Sequence, residues 1–336
     1  MAPIPKTMSG VLIEENGGVE VLKWKTDLPV PQLKDGEVLI RNEFIGVNYI
    51  DTYFRTGLYK PPSGLPLITG KEAAGTVISS RSPLLKEGDR VAYLGDATYA
   101  QFTSANPSTT LVAPLPAGLP TETAAAALLQ GLTALTFIRE AAGIKQELGV
   151  SLGPWTLVHA AAGGTGSQLV QILSVMGAKM IATAGSKEKC EIARKNGAQF
   201  TIDSSTEDIA TRVKEITSGK GVDVIFDGIG KATFDLDLEI VARKGLVIVF
   251  GNASGAAGPV DLFKLMAKNI KIMRPSMPNY ITTEEERKEF TTELFDLLLT
   301  GKVHTHIHKV YDLKGVAEAH TDLEGRKTTG KLLLRV

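Results

Sequence analysis

Between Trp155 and Gly251 the sequence switches repeatedly between short apolar runs and longer amphipathic stretches. That alternation constrains the fold more than any other feature of the chain. Trp155–Ala160, Lys179–Ala184, Gln199–Ile202, Val222–Asp227 and Leu246–Gly251 read as strands. Ser167–Met176, Lys187–Lys195, Thr206–Thr217 and Phe234–Ala242 read as the helices between them, the second stopped by Gly197. Strands and helices alternating at this spacing predict a doubly wound parallel sheet covered on both faces.

The first strand-to-helix connection is HAAAGGTG, His159–Gly166. A glycine-rich turn gains weight when it follows a buried strand and opens a helix, as here. Gly163 lets the backbone approach a pyrophosphate, and Gly166 lets the helix pack closely on the strand. The helix N-terminus adds N–H groups and a partial positive charge. Ala161 stands where the fingerprint has its first glycine, which a small residue tolerates if its φ stays negative. A plain compact turn is the alternative, and the units that follow argue against it. The second strand ends Ala184-Gly185-Ser186-Lys187-Glu188-Lys189. It lacks the acid that bonds the ribose hydroxyls of NAD. Ser186 and a lysine suit the 2′-phosphate of NADPH instead. The alternatives are Glu188 as a ribose ligand and the lysines as a solvated helix face.

The flanking sequence has a different texture. Residues 1–115 are β-rich, with Val38–Ile40 and Val91–Leu94 as strands between glycine and proline turns. Thr121–Ala142 is rich in helix formers. Thr282–Leu299 reads as an amphipathic helix ended by Gly301, and Val303–Tyr311 and Lys331–Val336 as strands. His304, His306 and His308 fall at alternate positions, a spacing that puts three imidazoles on one strand face. A polar face with locally bonded rings is the simpler reading than a metal site.

Lysine plus arginine and aspartate plus glutamate both number 37 in 336 residues. This balance argues against general attraction to nucleic acid or anionic membranes. The single cysteine, Cys190, makes neither an internal disulfide nor a cysteine-rich zinc cage. The opening MAPIPKTMSG reads as no leader, and the apolar runs are too short to span a bilayer. A cytoplasmic protein is expected, with the nucleus as a further location.

Several stretches resemble one family. They are GVNYIDTYFRTGLY (Gly46–Tyr59), GKEAAGTV (Gly70–Val77), LLQGLTAL (Leu128–Leu135), HAAAGGTG, VFGNASG (Val249–Gly255), RPS (Arg274–Ser276) and EGRKTTGKLLL (Glu324–Leu334). The chain resembles the zinc-independent quinone oxidoreductases of the medium-chain dehydrogenase/reductase superfamily, in the branch of ζ-crystallin and its fungal and bacterial relatives. The resemblance implies a GroES-like, β-rich substrate domain over 1–125 plus 276–336, and a Rossmann NADPH-binding domain over 126–275. It also implies a homodimer through the Rossmann domain. Zinc relatives carry a ligating His before the Glu of G-x-E-x-x-G and a ligating Cys early in the chain. Here Lys71 precedes Glu72, and Asp51 occupies the early Cys region, so no metal is expected.

The implied chemistry is transfer of reducing equivalents from NADPH to a quinone, as a hydride or one electron at a time. By the same resemblance Asn48, Tyr53 and Tyr59 line the acceptor site, with Asn48 and Tyr53 donating to the quinone oxygen. In the sequence alone these residues read equally well as packing and turn residues. Tyr49 and Thr133 are placed beside the nicotinamide, and Gly163, Gly164, Thr165 and Gly166 along the pyrophosphate. Ser186 and Lys189 match the 2′-phosphate binders. Phe250, Asn252 and Ser254 match the nicotinamide loop, and Arg326 a C-terminal phosphate ligand. Ser204, Gly228 and Thr165 depart from the bacterial pattern of Tyr, Ser and Val, and Gly149–Pro154 is extra length. Two other functions remain open: reduction of 2-alkenal or enone double bonds, and binding of AU-rich RNA.

Overall fold

A computed structural model describes residues 3–61, 63–145, 153–325 and 327–336. Arg326 and most of the Gly149–Pro154 stretch lie outside the described residues. The chain divides into two units, Met1–Leu129 with Arg287–Leu299 and Thr305–Val336, and Gln130–Glu286 with Thr300–His304.

The first unit is built on a seven-stranded sheet in the order Ile307–Asp312, Lys331–Arg335, Val38–Val47, Glu72–Ser80, Arg90–Leu94, Leu111–Pro114, with Phe102–Ala105 also paired to Val38–Val47. Its first pair is parallel and the others antiparallel. A three-stranded sheet adds Lys23–Pro29, Thr7–Ile13 and Leu67–Ile68. Val38, Ile40, Ile45, Val47, Leu332 and Leu334 are among the side chains that fill the common core. Val38–Ile40 proves to be only the start of a strand that runs to Val47, past the polar Arg41, Asn42 and Glu43.

The second unit is the parallel sheet that the alternation predicts. Its strands run Phe200–Asp203, Lys179–Ala184, Trp155–Val158, Val222–Asp227, Val241–Val249, Lys271–Met273, all parallel. Counted in chain order this is 3-2-1-4-5-6. The direction of winding reverses between Trp155–Val158 and Val222–Asp227, the place where such sheets bind ligands. The Phe234 helix ends at Ile240, earlier than its sequence suggests, because Val241 and Ala242 already join the sheet. Lys244, at φ 67°, then kinks that strand. Thr121–Thr136 is α-helical, but Phe137–Ala141 continues as a π turn. The strand expected from Val303 starts at Ile307, so His304 and His306 precede it and the three imidazoles do not share a strand face.

Candidate active site

The glycine turn sits where the winding reverses. The backbone N–H of His159 still bonds the Phe226 carbonyl in the neighbouring strand. The chain then turns through Ala160, at φ 50°. The left-handed residue of the turn is therefore Ala160 and not Ala161, which is buried. The Ala160 carbonyl accepts the N–H of Gly163 at 2.9 Å. A Cβ on Gly166 would stand 2.3 Å from that oxygen, and one on Gly163 3.2 Å from it. Gly166 is thus required by packing. Gly163 caps the Gly164–Val175 helix without a side chain, leaving the first-turn N–H groups with no side-chain acceptor at the cap, the arrangement that suits an anion.

At the end of the second strand Ser186 caps the next helix, its Oγ accepting the Lys189 N–H at 3.3 Å. Glu188 is exposed, and a backbone N–H and the Ser186 hydroxyl hold its carboxyl below the usual range. Asp203, on the adjacent strand end, is folded onto Ser205, whose hydroxyl and N–H it accepts at 2.6 and 3.0 Å. Ser204 likewise turns its hydroxyl to the Ala184 carbonyl. The loop thus carries the hydroxyl of Ser186, which bonds the Lys189 N–H and Glu188, together with the side chains of Lys187 and Lys189, and the Asp203 carboxylate is folded away onto Ser205.

A second pair of loops follows the fourth and fifth strands. The Asp227 carboxylate closes the first by accepting the N–H groups of Ile229 and Gly230 and the Thr233 hydroxyl. Arg274 closes the other by donating to the carbonyls of Val249 and Gly251. Ser254 links the two, donating to the Ile229 carbonyl and accepting the Ala232 N–H, both at 2.9 Å. Its hydroxyl is therefore engaged within the loops. The carbonyl of Asn252 accepts the Gly255 N–H. Phe250 meets Phe137 of the π turn at 5.6 Å with the rings tilted by 55°, and Phe137 also meets Tyr280 at 6.4 Å. Thr133 is buried one turn before Phe137.

In the first unit the Tyr49–Thr56 helix carries the remaining candidates. Asn48 precedes it, and Asp51 accepts the Asn48 N–H at 2.9 Å. Tyr53 and Tyr59 meet edge to face at 5.2 Å, and Phe54 packs on Tyr59. Tyr49 donates its hydroxyl to the Leu323 carbonyl. Asn48 is buried in a network absent from the sequence-based reading. Its amide donates to the Gly46 carbonyl and to Glu72, and its oxygen accepts from Lys331 at 2.7 Å. Lys331 and Glu72 form a fully buried ion pair at 2.6 Å, and the other Glu72 oxygen accepts the Leu129 N–H. The Asn48 amide expected to face a quinone is thus held by its own unit.

A second buried chain runs behind the helix. Glu324 accepts two bonds from Arg55, and the Arg55 guanidinium donates to Nδ1 of His320. Burial and that guanidinium push the His320 pKa down to about 3, so the ring is neutral with its proton on Nε2. Nε2 faces the Tyr99 hydroxyl at 3.0 Å, and that hydroxyl donates to Asp51 at 2.8 Å. Burial raises the Asp51 carboxyl to about 7, against the Tyr99 and Asn48 hydrogen bonds. These partners lie 221 and 265 positions apart for Tyr99 and Arg55 to His320, a separation that local spacing does not reveal.

Residues 34–126 match the alcohol dehydrogenase GroES-like domain, and residues 164–298 match the zinc-binding dehydrogenase family. A probable quinone oxidoreductase of Schizosaccharomyces pombe is 41% identical over 333 residues, 97% of each chain. A 2-haloacrylate reductase from a Burkholderia species is 34% identical over 334 residues, 96% of this chain and 97% of its own. The crystal structure of Escherichia coli quinone oxidoreductase complexed with NADPH matches with a TM-score of 0.90 at 38% identity, covering 98% of this chain and 100% of that one. The zinc in the second family description does not fit the residues present. Lys71, where a ligating His would stand, is an ammonium paired with Asp96 and lying 4.3 Å over the Phe54 ring. A protonated amine has no lone pair for a metal, and the described residues hold no group of three ligating side chains placed for one. The chain belongs to the quinone oxidoreductase family of the medium-chain dehydrogenase/reductase superfamily.

Proposed function

We propose that the protein reduces quinones with NADPH, without a metal. The observation that carries this reading is the glycine turn at the point where the sheet's winding reverses, followed by a second strand that ends in Ser186 and lysines with no ribose-binding acid. Relatives named quinone oxidoreductase support it, one of them solved with NADPH. Gly163, Gly164, Thr165 and Gly166 hold the pyrophosphate, and Ser186 and Lys189 hold the 2′-phosphate. Thr133, Phe250 and Asn252 flank the nicotinamide, with Tyr49 and Arg326 as further cofactor contacts. When bound, NADPH supplies the reducing equivalents, as a hydride or one electron at a time. Tyr53 donates its phenolic proton toward the quinone oxygen as negative charge develops there, and Tyr59 orients that ring. Asn48 acts by fixing the start of the helix that carries Tyr53. Ser254 acts by joining the two loops, not by touching the cofactor. A quinone is electrophilic enough to accept hydride without a Lewis acid, so orientation and one donor suffice.

The test is NADPH oxidation with ortho- and para-quinones, with NADH as control. Preference for NADPH by about tenfold or more in kcat/KM is expected, since a lost charge-assisted contact is worth ~1.5–3 kcal/mol. Equal use of NADH removes the argument from Ser186 and Lys189. The 2-haloacrylate reductase among the relatives favours one second reading, reduction of an activated double bond. Ranking quinones against 2-alkenals by kcat/KM separates the two.

A homodimer through the parallel-sheet unit belongs to the same reading. Leu262, Phe263 and Met266 are exposed just before Lys271–Met273, the edge strand of the sheet among the described residues. Light scattering at micromolar concentration tests it, and a monomer there rules it out. Binding of AU-rich RNA is tested by competition with NADPH.

A further inference from the structure

The residue just before the glycine turn, His159, is fully buried, and its ring is bonded on both sides. Nδ1 lies 2.8 Å from the Thr183 hydroxyl and Nε2 2.8 Å from Asp237. Burial works against the imidazolium, but the Asp237 charge and hydrogen bond outweigh it, with Asp227 adding to them, and the ring's pKa is raised. Each partner belongs to a different segment beside the turn. Thr183 stands two residues before Gly185, and its carbonyl also accepts the Ala161 N–H at 3.0 Å. Asp237 lies on the helix that follows the Asp227–Thr233 loop. One imidazole therefore joins the turn, the strand that leads to Ser186 and the helix behind the fourth-strand loop.

Stability is a poor explanation for this arrangement. A buried ion pair gives up about as much in lost hydration as it gains in attraction, and apolar replacements of similar volume are often at least as stable. Burial raises the Asp237 carboxyl to about 6, against the pull of His159 and with Asp227 adding to the rise. What apolar side chains would not supply is direction, since a hydrogen bond at each ring nitrogen fixes both the position and the rotation of the ring. The Ala160 carbonyl, one residue on, is the atom against which Gly163 and Gly166 are packed. A shift of His159 is passed to that carbonyl and from there to the N–H groups of the turn.

We propose that His159 is a positioning residue for dinucleotide binding: clamped between Thr183 and Asp237, it sets the glycine turn in the conformation that takes the pyrophosphate. This rests on the NADPH reading, and the experiment separates the two. NADPH affinity of the full chain is measured by fluorescence titration, beside thermal melting and steady-state kinetics, for wild type, His159→Gln, Thr183→Val and Thr183→Ser. Thr183→Val keeps the shape of the strand while removing one hydroxyl, so it remains informative where the histidine variant folds poorly. The expected result is a rise in the NADPH Kd of about threefold to tenfold for Thr183→Val, the range for one lost hydrogen bond. KM for NADPH should rise with it while kcat stays within about twofold, as for a loss of uniform binding. Thr183→Ser should restore the wild-type Kd. A melting point lowered by Thr183→Val with an unchanged Kd overturns the proposal, as does a raised Kd that Ser does not rescue. If wild type itself does not bind NADPH, the cofactor reading fails and takes the proposal with it.

Discussion

The edge of the Phe250 ring stands against Gly228: a Cβ built there would lie 3.0 Å from Cε2 and from Cζ of the ring. Gly228→Ser should displace Phe250 and destabilise the chain by ~1–3 kcal/mol, the range for overpacking. On the proposed placement of Phe250 beside the nicotinamide, KM for NADPH should rise as well. Phe250→Leu should restore stability to the serine variant, and denaturant melts of both chains check this.

Ala160 adopts φ 50° with its side chain exposed. A left-handed conformation penalises an alanine by ~1–2 kcal/mol, while glycine has more chain entropy to lose on folding. Ala160→Gly should therefore change stability upward by about 0.5–1 kcal/mol. Chemical denaturation gives the value, and a loss of stability would mean that the alanine makes contacts that offset its strain.

Lys331 and Glu72 are both buried, so removing one leaves the other without its counter-charge. Lys331→Met should lower stability by ~3–5 kcal/mol, and adding Glu72→Gln should recover a large part of it. A double-mutant cycle tests this. Additive losses would show that the two groups are not coupled.

The Asp51 carboxyl, raised to about 7 by burial, binds its proton more tightly in the folded chain than in the unfolded one. Its contribution to stability is therefore full below about pH 4 and is lost as pH rises through about 7. Asp51→Asn removes that titration. Melting points of wild type and variant, followed from about pH 5 to pH 8.5, should differ most in slope between pH 5 and 7. Parallel curves would mean that Asp51 is ionised throughout.

The parallel-sheet unit was legible in the sequence because its information is local. Five of the six strands carry a short apolar run, Ser186 and Asp208 cap two of the helices, and Gly163, Gly164 and Gly166 fall within four residues, while the short outer strand Lys271–Met273 escaped the pattern. In the turn Ala161 keeps the negative φ that the sequence reading required, and the left-handed residue is its neighbour Ala160, which composition does not single out. The first unit was less legible. Val38–Val47 carries charged and polar residues in its middle, where the strand pattern breaks. The buried networks were invisible for another reason. Asn48 meets Lys331 across 283 positions, and Arg55 meets Glu324 across 269. Residues of that kind look like surface polar groups until the sheet brings them together. This is why Asn48 could be read as a donor to substrate, while the structure gives its amide to Gly46 and Glu72.

The strand that delivers Lys331 is made long after the strands it joins. A ribosome emits Gly46 and Glu72 early, yet the ammonium that neutralises Glu72 and the strand that pairs with Phe44–Val47 come only with Lys331–Arg335. The parallel-sheet unit, by contrast, has all six of its strands by Met273. During synthesis the middle of the chain can complete its fold first, while the opening segment waits with an uncompensated carboxylate and an open sheet edge. A premature stop before Lys331 therefore leaves a finished sheet joined to an unfinished one, a product suited to recognition by chaperones and proteases.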